Sequence, residues 1–159
     1  MQLVGTSRPS PAKAKQFREV DLVSARASID AAVRAGVSHF VYVSVAHPAP
    51  VMHAYIAVRR EVEELLRASG LCTTILRPWY ILGPGHRWPA VLLPFYGLAR
   101  LVPATRASAV RLAPVPLHRM VRAMVAAVED PPADSPRIME TPAIRHGGAT
   151  AQTSFGRTN

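Results

Sequence analysis

The sequence predicts an α/β domain built on a parallel sheet, and three features carry that prediction. Two short runs, HFVYVSV at 39–45 and CTTIL at 72–76, are nearly all apolar and rich in β-branched residues. Such runs suit strands buried on both faces, the mark of a parallel sheet. Segments of helical periodicity alternate with them, and Gly36 and Gly70 close two of these segments at the left-handed position past a helix end. Strands and helices alternating through short connections specify parallel pairing by right-handed crossovers.

The chain starts with Leu3-Val4, a short apolar run ending in the turn signal Gly5-Thr6, and reads as a brief strand. A polar, Pro-containing loop is expected over SRPSPAKAK at 7–15. Asp21 suits an N-cap, followed at helical spacing by Leu22, Ala25, Ile29, Ala32 and Val33. After the strand at 39–45, two prolines break AHPAPV at 46–51. A second helix is predicted from His53 to Ser69, with Val58, Val62, Leu65 and Leu66 on its apolar face and Glu63 and Arg67 as an i,i+4 pair. Arg77-Pro78 ends the next strand. Beyond Gly85 the spacing predicts helices near Pro89–Leu101 and over Leu117–Glu129, the latter through Leu117, Met120, Val121, Met124 and Val128. From Ile144 the chain is polar and Gly-containing, and disorder is expected. The reading divides the chain into an α/β core at 1–82, a helical C-terminal portion at 83–142 and a disordered tail at 143–159.

Composition excludes several function classes. Of the 159 residues 49% are hydrophobic and 18% charged, which is globular rather than disordered. No apolar run reaches the roughly 18 residues a membrane span needs, and no apolar stretch follows a basic start as in a secretory signal. One cysteine, Cys72, rules out an internal disulfide and fits a reducing compartment, so a cytoplasmic location is expected. Its position at a strand start suits packing as a small apolar residue. The net charge of +9 comes from scattered arginines, all basic residues but Lys13 and Lys15, with no interleaved aromatic platform. Nucleic acid is therefore not an expected partner. The six histidines (39, 47, 53, 86, 118 and 146) lack metal-ligand spacing, and no metal site is expected.

Several strings together resemble a known family. They are HFVYVSV with Ser44 near its end, Tyr55 eleven residues later, Arg59 four beyond that, and ILRP leading into ILGPG. Their order and placement are similar to the atypical and extended short-chain dehydrogenase/reductases, in the NAD(P)-binding, epimerase-like (NmrA-like) group, over about residues 2–130. The resemblance implies a Rossmann-like sheet, NAD(P) as cofactor and a small-molecule substrate. It places Ser44, Tyr55 and Arg59 at the reaction centre, with Arg59 where the family has lysine. A cation one turn away stabilises a phenolate, and a serine orients the substrate oxygen. Arginine keeps the charge, but its fork does not duplicate an ammonium. By the same resemblance Gly5, Thr6, Pro78, Trp79, Tyr80 and Gly83 line the cofactor. Each residue also has a plain reading: Tyr55 as a helix-start tyrosine packed on the sheet, Ser44 as a strand-end polar residue, Gly5-Thr6 as a turn. His86-Arg87-Trp88-Pro89 falls at the expected substrate rim, or is a packed tryptophan with a surface arginine.

The family's Gly-rich pyrophosphate turn, G-x-G-x-x-G or G-x-x-G-x-x-G, does not occur among these residues. Met1 falls where the family's fourth strand begins. The expectation is therefore the C-terminal half of a doubly wound domain, with a one-walled cofactor crevice and an exposed edge strand at Leu3 open to association. Two functions follow: a truncated NAD(P)-dependent oxidoreductase or epimerase, or a non-catalytic structural or assembly subunit on the same fold, as some atypical members are in respiratory complex I.

Overall fold

Residues 13–83 and 103–147 are described by the computed structural model, without the side chains of 103–106. The expected strand at Leu3-Val4, Gly5 and Thr6, the His86–Pro89 rim and the helix near Pro89–Leu101 lie outside the described residues.

The first helix, α1, starts earlier than its periodicity suggested. An α-helical turn at Ala14–Gln16 continues into a π-helical stretch at Phe17–Leu22 and then into α-helix Val23–Arg34. Lys15 is thus helical. Asp21 lies inside the helix and is buried, which corrects its assignment as an N-cap. The π turn sends Phe17, Asp21 and Leu22 inward together. Ala25, Ile29 and Ala32 continue the buried stripe, whereas Val33 faces solvent. Gly36 follows with φ +61°, a backbone angle glycine adopts without the Cβ clash that other residues suffer.

Strand β1 is Phe40–Val43 and strand β2 is Thr73–Arg77; they pair in parallel with Phe40 opposite Thr73. Between them helix α2, His53–Ala68, makes the crossover. Beyond β2 come β3 (Ile81–Leu82), α3 (Pro103–Arg111), β4 (Val115–Pro116) and α4 (Leu117–Glu129). The last elements are β5 (Arg137–Glu140) and α5 (Thr141–Arg145). The described sheet has the order β1-β2-β5, all parallel, and β3 pairs with β4 in a separate two-stranded ladder.

Alternation along the strands fills both faces, as a buried parallel sheet requires. Phe40, Tyr42 and Ile75 pack against Phe17, Leu22, Ala25 and Ile29 of α1 and Val58, Val62 and Leu66 of α2. Val41, Leu76 and Met139 point the other way, against Met120, Ala123 and Ala127 of α4 and Ile144 of α5. The architecture is therefore a Rossmann-like α/β/α layering around a parallel sheet, as the alternation of elements predicted. Ile144 is fully buried within α5, so order extends into the segment expected to be disordered.

Candidate functional site at the carboxyl ends of the strands

In an open parallel α/β sheet, ligands lie outside the carboxyl ends of the strands. That end here is formed by the chain after Val43, after Arg77 and after Glu140. The loops following β1 and β2 stay zipped together past the strands, Ser44 N–H donating to Leu76 O and Ala46 N–H to Pro78 O. Thr141 Oγ1 donates to Arg77 O at 3.1 Å and ties the start of α5 to the same place.

Two buried polar networks organise this end, both anchored on α2. Arg59 and Glu63 lie four residues apart on it, beside the apolar stripe Val58–Val62–Leu66, so both point toward the sheet. In the first network Arg59 Nη2 donates to Asp21 Oδ1 at 2.8 Å and Nη1 to the Tyr42 hydroxyl at 2.9 Å. Nη1 also reaches Val43 O at 3.3 Å. The guanidinium carbon stands 4.9 Å from the centroid of the Tyr55 ring, and that ring meets Phe17 edge-on at 5.1 Å. Burial works against the charge on Arg59, but Tyr42, Tyr55 and Asp21 outweigh it and hold its pKa above the ordinary value. Burial pushes the Tyr42 phenol up to about 12, against the pull of Arg59, so it stays protonated at neutral pH.

The second network centres on Glu63, whose side chain is 1% exposed. Ser44 Oγ donates to its Oε1 at 2.6 Å. Arg77 grips both carboxylate oxygens, Nε to Oε1 at 3.0 Å and Nη2 to Oε2, the two-pronged geometry that arginine forms with carboxylates. Arg77 Nη1 reaches on to Glu140 at 2.8 Å. The expected i,i+4 pair with Arg67 is present at 3.3 Å. His47 Nε2 stands 3.5 Å from Glu63 Oε1, an electrostatic contact rather than a hydrogen bond. Burial alone would raise the Glu63 pKa; hydrogen bonds from Arg77 and Ser44 reverse that and hold it below the usual value. His47 is held below its usual value by burial and by the Arg77 charge.

These directions fix a pH dependence. His47 and Glu63 both bind protons less readily folded than unfolded. Their contributions are complete above the unfolded pKa values and are lost as pH falls through the folded ones. Stability should therefore decline in two stages, first below His47's ordinary 6.5 and then below Glu63's ordinary 4.5. His39, also held below its ordinary 6.5 by burial and by the Arg137 charge, adds to the upper limb. Urea unfolding between pH 7.5 and 3 should show both limbs, and His47→Asn should reduce the upper one only. An unchanged upper limb in that variant would refute the assignment.

The residues singled out in the sequence thus divide between the networks. Tyr55 and Arg59 meet through the tyrosine ring face, while Ser44 is held by Glu63. Pro78 is buried and Trp79 and Tyr80 pack edge-to-face at 5.3 Å; Tyr80 O accepts from Val115 N–H of β4. At Gly83 a Cβ would stand 3.3 Å from Leu117 Cδ2, so packing against α4 already favours a glycine there. Asp21, Tyr42, His47, Glu63 and Glu140 were not singled out as site residues, and Arg77 was noted only where β2 gives way to the following loop. The available signal was two charges, Arg59 and Glu63, bordering an apolar stripe, plus an arginine ending a buried strand. Among the described residues no group of three or more His, Cys, Asp or Glu is placed to hold a metal ion, and no helix is long and apolar enough to cross a membrane.

A family model described as NAD(P)H-binding matches residues 4–87, more than half of the chain. The chain belongs to the NAD(P)H-binding family. The matched stretch contains both networks' α2 anchors and the ends of β1 and β2; α4, β5 and α5 lie beyond it. No curated protein matches the chain. Among the described residues, two buried atoms near the strand ends, His47 Nε2 and Glu140 Oε2, lack a hydrogen-bond partner, though His47 Nε2 stands against Glu63. No Gly-rich turn exists among these residues to cradle phosphates.

Proposed function

We propose that this chain is a module of the atypical short-chain dehydrogenase, NmrA-like type that supplies the nicotinamide side of an NAD(P)H site and does not use Tyr55 for proton transfer. The observation that carries this reading is the engagement of Arg59. Both terminal guanidinium nitrogens serve Asp21 and Tyr42, and the tyrosine it is paired with in sequence offers it a ring face. A cation that lowers a phenol's pKa acts best beside the oxygen. The hydroxyl of Ser44, proposed to orient a substrate oxygen, donates instead to Glu63. On this reading the role is structural, assembly-related or regulatory. Pro78, Trp79, Tyr80 and Gly83 are the proposed nicotinamide-side contacts, and Gly5 and Thr6 the proposed contacts on the ribose side.

A second reading, an active oxidoreductase or epimerase with Tyr55 as acid, draws on the proximity of Arg59 to Tyr55 and on Ser44 following β1. Arg59→Lys separates the two. It restores the lysine of the resembled motif but cannot reach Asp21 and Tyr42 at once with a planar fork. The proposal expects a loss of about 1–2 kcal/mol in stability and no gain of NADPH oxidation, followed at 340 nm with a panel of aldehydes and ketones. Carbonyl reduction by the unmodified chain that disappears in Tyr55→Phe would overturn the proposal and establish the second reading.

A further inference from the structure

Helix α4 is apolar over more of its circumference than the described residues cover. Met120, Ala123 and Ala127 pack into the core, and α4 lies against β1, β3, β4 and α5. Beside that buried strip runs a second one, Leu117, Val121, Val125 and Val128, each between 43% and 50% exposed. Their spacing of four, four and three residues keeps them on one line along the helix. Such a four-residue line is longer than any the other exposed valines form; those stand singly or in a pair such as Val20 and Val23 on α1.

The flank of this line is self-complementary. Arg122 and Glu129, both exposed, are seven residues apart, two turns, and so share one side of the helix. A two-fold axis perpendicular to α4, passing beside Val125, keeps that side in register and reverses its direction. Arg122 of one copy then faces Glu129 of the other, and the same pair recurs across the axis. The valines meet at the centre, and Leu117 extends past the end of the facing helix. An anionic surface would not match this pattern, because Glu129 would meet it with like charge.

We propose that the exposed face of α4 is where two copies of this chain pair, antiparallel about a two-fold axis beside Val125. The apolar strip is small beside the roughly 800 Å² per partner that a stable interface buries. The pairing is therefore reversible and depends on concentration. This inference goes beyond the proposed function and does not need a bound dinucleotide.

Sedimentation velocity of the full 159-residue chain over a micromolar to high-micromolar series tests it. The expected result is a monomer–dimer equilibrium. Val125→Lys should weaken it at least about tenfold, since it sets two ammonium groups at the axis. Circular dichroism should report an unchanged fold for this variant. Arg122→Glu and Glu129→Arg should each weaken association by placing like charges face to face, and the double variant should restore it. A monomer at every concentration would overturn the proposal. So would an association that Val125→Lys leaves intact, as pairing through a sheet edge would be, or a double variant that fails to recover.

Discussion

Replacing Glu63 by leucine is expected to cost about 3 kcal/mol of folding stability, toward the lower end of what breaking a buried ion pair costs. The penalty comes from the partner left behind. Arg77, 11% exposed, would keep Glu140 but lose the carboxylate that grips it from α2. Ser44 would lose the acceptor of its 2.6 Å hydrogen bond. Arg77→Met in the same chain removes the stranded charge, and the double variant should recover most of the loss, because well-packed apolar residues often replace buried pairs at little cost. Denaturant unfolding of the wild type, both single variants and the double variant gives the coupling directly. A loss below about 1 kcal/mol in Glu63→Leu would show that the pair contributes no more than a surface bridge.

Asp21→Leu should be comparably damaging, at about 3–5 kcal/mol. Arg59, 8% exposed, would retain the Tyr42 hydroxyl and the Tyr55 ring but no longer the carboxylate at 2.8 Å. Rings compensate a desolvated cation only in part, by roughly 2 kcal/mol. Asp21→Leu combined with Arg59→Met should regain stability, and circular dichroism should confirm that α1 remains helical. Equal stability of Asp21→Leu and the parent would mean that Arg59 is not held by Asp21. This pair of experiments also bears on the proposed function. A structural Arg59 predicts strong coupling to Asp21, whereas an arginine held chiefly for cofactor or substrate predicts weak coupling.

The layers of the fold were legible because they are written in local periodicity. Phe40–Val43 and Thr73–Arg77 are continuous apolar or β-branched runs, and helix 53–68 carries its stripe and its closing glycine within one window. Strand β5 was not anticipated. It is four residues long, only Met139 of it is buried, and Arg137 and Glu140 give it a polar appearance. Its placement depends on pairing with β2, which no local pattern encodes. Asp21 shows the same limit. Its composition suits a helix cap, but its partner lies 38 residues away and the π turn that faces it inward has no simple sequence signature. Ser44, Tyr55 and Arg59 were read as a candidate motif through resemblance. Their partners were not, because hydrogen bonds between distant elements follow from the folded topology.

The pairing of β2 with β5 carries a consequence for how the chain reaches its native state. Arg77 and Glu140, at the ends of these strands, are joined by an ion pair across 63 residues. During synthesis the ladder edge of β2 therefore has to wait for a long stretch of further chain before its neighbour exists. Closing so large a loop is slow relative to local helix formation. In that interval the β2 edge, backed by Ile75 and Leu76, needs shielding from other chains.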